Sequence, residues 1–306
     1  MKWLTYNTPG GVKSGVLDDA GVHEYSGPES LLELIGTGND GLSAAGEEAL
    51  RQPGVDVTSL EIVAPFQPPS MRDSMCFHEH IRNCNLGAEF DERHRQFPAF
   101  YFSNPAATIG PFDDAHIGPG SQMFDYELEV AAVIGKRGSN IRAEDAQEYI
   151  IGYTMYIDWS SRDVQFNEMQ MLLGPAKGKD TATTLGPTLV TKDEFEPLRK
   201  NKGFDIAMRA SINGRQISEG NWSTIDWTFD DVIAYTSRGT TLVPGDILGS
   251  GTVGRGCLYE HYRLDPSEFH GWLKPGDIVE MHIDLIGDTR QTVVAAAPRH
   301  PLSSGW

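Results

Sequence analysis

The sequence predicts a mainly β fold of the α+β class, with few helices. The chain of 306 residues contains 33 glycines and 18 prolines, a larger share than the ~12% usual in proteins, and both residues mark turns. Residues 124–134 alternate between two sets of side chains, as the two faces of a strand do. The alternating segment Phe204–Ile212 is followed by Asn213-Gly214, a pair typical of a hairpin turn.

The first 66 residues are expected to form a small α+β domain. Its predicted elements are strands at Lys2–Tyr6 and Val12–Leu17, joined by a turn at Pro9-Gly10-Gly11, and helices at Glu29–Leu34 and Leu42–Arg51. The segment from Ala64 to Ser70 contains three prolines, which make a chain stiff and extended. We therefore interpret it as a linker and divide the chain into residues 1–66 and 67–306.

Residues 67–306 are expected to form a larger and mostly antiparallel β domain. A further strand is predicted at Val279–Leu285. Helices are predicted at Arg142–Ile150, after Asp158, and at Asp231–Ser237, before Gly239. In the second of these, Ser160-x-x-Asp163 resembles a capping box with Ser160 as the N-cap, so the helix is expected to start near Ser161.

Charge and cysteine content restrict the class of partner and the compartment. Lys and Arg number 25 against 43 Asp and Glu, giving a net charge of −18 at pH 7. This excess argues against binding to nucleic acid or to anionic membranes, because both depend on cations that contact phosphate. No segment approaches the ~18 apolar residues of a membrane span. The three cysteines are too few and odd in number for a disulfide framework, which favours a cytoplasmic location.

Glu127 and Glu129 form an acidic pair on one predicted strand. Residues two apart on a strand point to the same face, with α-carbons ~6.6 Å apart, so their carboxylates can converge on one cation. A third carboxylate, Asp158, ends the next strand-like run, Ile150–Ile157. Such oxygen ligands suit Mg²⁺, and also Mn²⁺ or Ca²⁺. An ordinary solvated strand face is the alternative interpretation.

Arg162, Gln165 and Lys179 are candidates for stabilising an oxyanion. Arg162 and Gln165 are three apart and share a face of the helix predicted after Asp158. The run around Lys179 is not a phosphate-binding loop, because only three residues separate Gly174 from Gly178. The alternatives are an exposed arginine on a surface helix and a flexible basic loop.

A cluster of cysteine and histidine residues lies between residues 76 and 84. Cys76, His78, His80 and Cys84 could bind zinc, although their spacing matches no usual structural zinc motif. His80 could instead act as a general base, since a neutral imidazole accepts protons near pH 7.

These runs together resemble the fumarylacetoacetate hydrolase family over most of residues 67–294. The motifs that carry the resemblance are Phe124-Asp-Tyr-Glu127-Leu-Glu129, Tyr153-x-x-Tyr-Ile-Asp158-Trp-Ser-Ser-Arg162-Asp-Val-Gln165, Leu173-Gly-Pro-Ala-Lys-Gly-Lys179-Asp-x-Ala-Thr183 and Gly249-Ser-Gly-Thr252-Val-Gly. The resemblance implies a mixed β-sandwich roll around a divalent cation, preceded by a small N-terminal domain. It also implies a homodimer that acts on a small molecule.

The resemblance also implies roles for individual residues. The implied cation ligands are Asp73, Glu127, Glu129 and Asp158, with Thr183 beside them; the implied catalytic residues are His80, its partner Glu260, Arg162, Gln165 and Lys179; Thr252 and Tyr101 are the implied substrate contacts.

The chain departs from smaller bacterial members of the family in two places. Their His-x-x-Glu pair is replaced by His80-Ile-Arg-Asn83, and their lysine after a Phe-x motif is absent from Phe100-Tyr-Phe-Ser103.

The function implied by the resemblance is divalent-metal-dependent hydrolysis of a C–C bond in a 1,3-diketone or an acylpyruvate-type 2-oxo acid. Family members also isomerise, decarboxylate or dehydrate 2-oxo acids with the same cation, so similarity of fold does not choose among these reactions. A non-catalytic, metal-stabilised binding protein and a zinc protein are alternatives of another class.

Overall fold

The structure is a computed structural model that describes residues 1–303, and it mixes extensive sheets with short helices. The strands are β1 (Lys2–Thr8), β2 (Gly11–Asp18), β3 (Gly21–Glu24), β4 (Gly54–Val55), β5 (Glu61–Val63), β6 (Met71–Ser74), β7 (Phe100–Ser103), β8 (Thr108–Ile109), β9 (Ala115–His116), β10 (Phe124–Asp125), β11 (Leu128–Ile134), β12 (Gly138–Ser139), β13 (Ile150–Asp158), β14 (Ser160–Ser161), β15 (Thr183–Leu185), β16 (Leu189–Thr191), β17 (Arg199–Lys200), β18 (Gly203–Phe204), β19 (Ala207–Ile212), β20 (Arg215–Asn221), β21 (Thr241–Leu242), β22 (Ile247–Gly249), β23 (Ile278–Ile283) and β24 (Gly287–Val294). The α-helices are α1 (Leu31–Gly36), α2 (Gly38–Ala49), α3 (His78–Cys84), α4 (Arg162–Met169), α5 (Phe229–Thr236) and α6 (Leu258–Leu264). Short 3₁₀ segments lie at Val57–Ser59, Glu92–Arg95, Pro105–Ala107, Ala143–Glu148, Lys177–Lys179, Lys192–Glu194, Glu196–Leu198 and Trp222–Thr224.

The larger sheet joins the N-terminal strands to the strands that follow residue 66. Its main path runs β4-β3-β2-β1-β16-β13-β11-β22-β6-β7. The junction is an antiparallel pairing of β1 with β16, in which Lys2 lies opposite Val190 and Trp3 opposite Leu189. The N-terminal strands therefore extend the sheet of the following region, and the domain boundary at residue 66 stays a prediction.

The centre of this sheet is buried on both faces. Every residue of β11 and of β13 is buried, which is why both sets of alternating side chains in residues 128–134 are mostly apolar. The predicted strand Phe124–Ile134 is interrupted, however. It is divided into β10 and β11, and the short stretch between them contains Glu127.

A second sheet, in the order β20-β19-β23-β24-β9, packs against the first. The predicted hairpin is confirmed, since β19 and β20 pair around a turn in which Asn213 has φ 52° and Gly214 has φ 77°. Two positive φ values in a two-residue turn match the right-handed twist of the flanking strands. The main buried apolar cluster contains residues from both sheets, so the mixed β-sandwich is confirmed.

The helix predictions were partly wrong. Residues 143–148 form a 3₁₀ segment, and Ile150 already begins β13. Helix α4 begins at Arg162, and its N-cap is Ser161, whose side chain makes no capping hydrogen bond. The Asp163 carboxylate accepts instead from the Ser121 hydroxyl and the Gln122 N–H, so the capping box at Ser160 is wrong. Across residues 1–303, no helix has the length and apolar character needed to cross a membrane.

Replacing Trp222 with alanine should destabilise the fold strongly. Its ring is buried and lies 4.9 Å, between ring centroids, from both Tyr153 and Phe204. We expect the free energy of unfolding to fall by about 3–5 kcal/mol, the usual cost of a large cavity, measured by urea denaturation. The matched control is Phe102→Ala. That ring is 70% exposed, and its loss should change stability by only about 0.5 kcal/mol; equal losses would contradict the prediction.

Candidate active site

A row of side chains across the larger sheet places the acidic residues together. Five neighbouring strands, in the order β13-β11-β22-β6-β7, carry Asp158, Glu129, Gly249, Asp73 and Tyr101. Gly249 lies opposite Asp73 on the adjacent parallel strand, and Asp73 lies opposite Tyr101. Strand pairing therefore brings together residues that are far apart in the sequence.

Glu127 and Asp158 are brought together by their own backbones. The N–H of Glu127 donates to the carbonyl of Asp158 at 3.0 Å, and the N–H of Asp158 donates back at 3.3 Å. The four carboxylates of Asp73, Glu127, Glu129 and Asp158 each offer an oxygen within 4.8 Å of the others, and all four residues are buried. The solvated strand face considered for Glu127 and Glu129 is therefore wrong.

The four carboxylates fit a hard divalent cation. Within residues 1–303, both oxygens of Glu129 and Oδ1 of Asp158 are buried without a hydrogen-bond partner, and a buried charged oxygen left without a partner is costly. Gly249 leaves the space that the cluster needs. A β-carbon there would lie 2.6 Å from Oδ1 of Asp73 and 3.3 Å from Oε2 of Glu129. Oxygens of this kind in this number are ligands that Mg²⁺, Mn²⁺ and Ca²⁺ accept.

The protonation of these carboxylates depends on their environment. Burial raises the pKa of Asp158 to about 8, against the opposing effect of Lys179. Burial also raises the pKa of Asp73, and burial with the neighbouring carboxylates raises that of Glu129 well above its usual value. Burial acts in the same direction on Glu127, but Lys179 and Arg162 outweigh it and hold its pKa below the usual range.

Two buried cations lie beside the carboxylates. The Lys179 Nζ lies 2.7 Å from Oε2 of Glu127 and 2.6 Å from Oδ2 of Asp158. The Arg162 Nη1 lies 2.7 Å from Oε1 of Glu127, while its Nε donates to Oδ2 of Asp125 at 2.8 Å. Both side chains are less than 5% exposed. The flexible basic loop and the exposed arginine are therefore wrong.

Gln165 lies beside Arg162, as the helical spacing predicts. Its Oε1 accepts a hydrogen bond from Nη1 of Arg162 at 3.2 Å. This contact leaves the amide NH₂ of Gln165 as the group that can donate to a ligand.

His80 and Glu260 form a hydrogen-bonded pair. The ring Nδ1 of His80 lies 3.1 Å from Oε2 of Glu260, and Glu260 is fully buried. Burial lowers the pKa of His80, but Cys84 and Glu260 outweigh it and raise the pKa well above its usual value. Burial raises the pKa of Glu260, whereas His80 and hydrogen bonds hold it below its usual value.

One cavity of about 460 Å³ connects these groups. Its polar wall contains Asp73, His80, Tyr101, Glu127, Arg162, Gln165, Lys179 and Thr252. Its apolar wall includes Phe77, Phe100, Phe166, Met169 and Tyr259. Glu129, Asp158 and Glu260 are buried and do not line it. A ligand in this cavity would therefore meet the acidic cluster, the cations and His80 together.

The remaining predicted residues also lie at this site. The Tyr101 hydroxyl donates to Oδ2 of Asp158. Thr183 lies opposite Asp158 in the register of β15 with β13. The Oγ1 of Thr252, a residue that lines the cavity, is buried and has no hydrogen-bond partner in the part of the chain that the structure describes. The structure thus brings every predicted site residue to one place, while their individual roles stay predictions.

The zinc site predicted from Cys76, His78, His80 and Cys84 is not assembled. The regular strand ends at Ser74, and His78 begins helix α3. The His78 ring turns to Asp226, 3.6 Å away, and to the carbonyl of His94. Of the other three residues, it is Cys84 that lies near His80: its Sγ is 3.8 Å from Nε2 of the ring.

Sequence reasoning missed two residues that organise the site. Asp125 is fully buried, and its carboxylate accepts from Arg162 and from the N–H groups of Leu258 and Tyr259 at the start of α6. Asp125 alternates with Glu127 and Glu129 in the sequence, and all three belong to one face of the predicted strand. This alternation was a signal that could have identified Asp125 as part of the site. Asn83, a departure from the family pattern, donates to Oε1 of Glu260 at 2.9 Å; no sequence signal indicated this contact.

These features are typical of a divalent-metal-dependent enzyme. The β-sandwich brings a buried cluster of carboxylates and a histidine–glutamate pair to one open cavity. Residues 70–294 match the family model described as fumarylacetoacetate (FAA) hydrolase C-terminal. The chain belongs to the fumarylacetoacetate hydrolase family, which confirms the resemblance.

Several relatives and solved structures are similar to this chain. It is 31% identical over 283 residues to the mitochondrial oxaloacetate tautomerase Fahd2a of Rattus norvegicus, covering 90% of this chain and 83% of that protein. It is 31% identical to the oxaloacetate tautomerase YisK of Bacillus subtilis (strain 168), covering 85% of each. A probable 2-hydroxyhepta-2,4-diene-1,7-dioate isomerase from Mycobacterium abscessus shares its fold with a TM-score of 0.74 and 26% identity, covering 97% of this chain and 100% of that one. The family thus includes enzymes named for isomerisation.

Replacing Gly249 with alanine should weaken divalent-ion binding. The added β-carbon would push against the carboxylate of Asp73, and displacing one ligand should reduce affinity for Mn²⁺ by about 10–100-fold. Isothermal titration calorimetry measures the change. Gly36→Ala is the matched control, because nothing lies within 4 Å of a β-carbon at that position. Equal Mn²⁺ affinity in both variants would contradict the proposed ligand set.

Binding of a divalent ion should release protons at neutral pH. The raised pKa values of Asp158, Asp73 and Glu129 mean that, without a cation, these groups keep their protons to a higher pH than free carboxyl groups do, and a cation binds only their ionised forms. Affinity for Mn²⁺ should therefore increase as the pH rises through about 8, the pKa of Asp158. Calorimetry in buffers of different ionisation enthalpy counts the protons. Binding without proton release would contradict the assignment.

Proposed function

We propose that this chain is a divalent-metal-dependent hydrolase that cleaves a C–C bond in a 1,3-diketone or an acylpyruvate-type 2-oxo acid. The observation that carries the proposal is the contact between Nδ1 of His80 and Oε2 of Glu260, 3.1 Å apart. Hydrolysis needs a base for a water molecule, and His80 lines the same cavity as the acidic cluster. We propose Mg²⁺ or Mn²⁺ as the ion, held by Asp73, Glu127, Glu129 and Asp158.

When bound, such an ion would supply Lewis-acid polarisation of substrate oxygens. The protein supplies the charge balance around it. Within residues 1–303, the ion pairs of five buried carboxylates, including Asp125, are made with Lys179 and Arg162. When all five are ionised, a divalent ion would therefore offset two of the three unmatched negative charges. The two cations also offset repulsion of an anionic substrate, which the net charge of −18 cannot do.

His80 is the proposed general base. Glu260 holds Nδ1 of the ring. Nε2, which has the Sγ of Cys84 3.8 Å away, is therefore the nitrogen proposed to take a proton from water. The resulting hydroxide attacks the substrate carbonyl, and cleavage leaves the electron pair on the carbon between the two carbonyls, where it becomes an enolate. The proton that His80 received is then available for that carbon. Because the pKa of His80 is raised, its neutral form and the rate both increase as the pH rises.

The tetrahedral oxyanion would be stabilised by donors on the cavity wall. Two of the three N–H groups of the Lys179 ammonium meet Glu127 and Asp158, which leaves the third for a substrate oxygen. The Gln165 amide and the Thr252 hydroxyl supply further donors. Loss of one such donor typically reduces the rate by about 10²–10³-fold.

Tautomerisation of a 2-oxo acid is the second candidate function. The relatives named as oxaloacetate tautomerases, such as the Rattus norvegicus protein at 31% identity, favour it. That reaction moves one proton between an oxygen and a carbon of the substrate, so it needs an acid–base group but no attacking water. The two candidates therefore differ in whether the substrate is broken.

The test is an assay of acylpyruvates with Mg²⁺ or Mn²⁺ in which the products are identified. Loss of enol absorbance alone does not decide, because hydrolysis and tautomerisation both cause it. We expect pyruvate and a second carboxylic acid in equal amounts. His80→Gln should reduce their formation by about 10²–10⁴-fold, the usual contribution of a general base.

The matched control is His78→Gln. The His78 ring is engaged by Asp226 and the His94 carbonyl, so hydrolysis should stay within a few-fold of the unmodified chain. Keto–enol interconversion without fragments would overturn the hydrolase and leave the tautomerase.

A further inference from the structure

We propose that His80, Cys257 and Glu260 form a second metal site, selective for a soft divalent ion such as Zn²⁺ or Cd²⁺, whose occupation inhibits the enzyme. One ligand atom from each of the three residues lies within 4.8 Å of the others. This site is separate from the four carboxylates, and it uses Cys257 in place of the cysteines first considered for zinc. The inhibitory effect rests on the proposed role of His80, whereas binding of the ion does not.

The three side chains meet at one oxygen. Oε2 of Glu260 lies 3.1 Å from Nδ1 of His80 and 3.5 Å from Sγ of Cys257. Ligands that surround a tetrahedral zinc at about 2.0–2.3 Å lie within ~4 Å of one another. The three side chains would therefore need to move only slightly to bind an ion in place of the protons that His80 and Cys257 share with Glu260.

The surroundings of Glu260 hold the site in position. Its other oxygen, Oε1, accepts from the side chain of Asn83 and from the backbone N–H of Arg255, both at 2.9 Å. Cys257 is fixed by an isolated β-bridge to Glu127. Contacts of this kind around the ligands fix their orientation and increase metal affinity.

Charge and ligand type favour a soft ion here. Cys257 and Glu260 are 0% exposed. The two negative charges of a thiolate and a carboxylate would balance the charge of one divalent ion. Binding exchanges the thiol proton and the Nδ1 proton for the ion. Thiolate and imidazole favour Zn²⁺ or Cd²⁺ over Mg²⁺, which prefers oxygen ligands. His80 belongs to the wall of the 460 Å³ cavity, so an ion can reach the site from that side.

Occupation of the site would remove the base. A neutral imidazole that binds an ion through Nδ1 carries its proton on Nε2. Nε2 is the nitrogen proposed to accept a proton from water, and a protonated Nε2 can only donate. The ion would thus inhibit hydrolysis without touching the four carboxylates.

The test is ultraviolet absorbance on addition of Cd²⁺ to the full chain with Mg²⁺ in excess. A thiolate bound to Cd²⁺ gives a charge-transfer band, and carboxylates give none, so this readout does not report the acidic cluster. It uses no substrate and therefore does not depend on the proposed hydrolase activity. We expect a band that saturates at one Cd²⁺ per chain.

Variants assign the band to a cysteine. Cys257→Ser should abolish it, whereas Cys76→Ala and Cys84→Ser should retain it. Glu260→Gln should weaken Cd²⁺ binding at least about tenfold, as loss of a ligand does; this second variant keeps the test decisive if Cys257→Ser fails to fold. Absence of a band in the unmodified chain, or its persistence in Cys257→Ser, would overturn the site.

Inhibition is measured as the ratio of hydrolysis rates with and without Zn²⁺ in each variant. The unmodified chain should lose most of its rate, and the ratio in Cys257→Ser should return towards one. Binding of Cd²⁺ without any loss of rate under Zn²⁺ would overturn the inhibitory role.

Discussion

The structure depends on holding five carboxylates in one buried place. Removing a charge from water is costly unless it is paired or neutralised. Here Lys179 and Arg162 pair with part of the charge. The oxygens of Glu129 have no hydrogen-bond partner among the described residues. The adjacent Gly249 leaves room for them. When the carboxylates are ionised, the remaining negative charge is the physical reason that the site fits a divalent ion.

Asp125 connects the two halves of this site. It binds the Arg162 guanidinium on one side and the first N–H groups of helix α6 on the other. That helix carries Glu260, which in turn holds His80. The position of the proposed base is therefore coupled to the position of the Arg162 guanidinium through the Asp125 carboxylate.

The same arrangement explains how one family supports several reactions. In the proposed function, an ion held by the acidic cluster, together with Lys179 and Arg162, would bind the two oxygens of a 2-oxo acid whether or not a water molecule is activated. The fate of the substrate then depends on the group that faces its reacting carbon. The group proposed for this role in this chain is His80. With it, the apolar wall formed by Phe100, Phe166 and Tyr259 would favour a substrate with an uncharged distal part.

The sequence by itself predicted part of the local structure and the identity of the candidate residues. Alternation and turn residues predicted the hairpin at Asn213-Gly214, and motif similarity selected the four acidic ligands, His80 and Glu260. Burial was decided only by the tertiary structure. The spacing of Glu127 and Glu129 is the same on a solvated strand as on a buried one, and pairing with neighbouring strands on both sides makes the difference. The contacts of Asp125 with Leu258 and of Asn83 with Glu260 join segments that are more than 100 residues apart. Local periodicity cannot indicate which side chains will meet over such distances in the sequence.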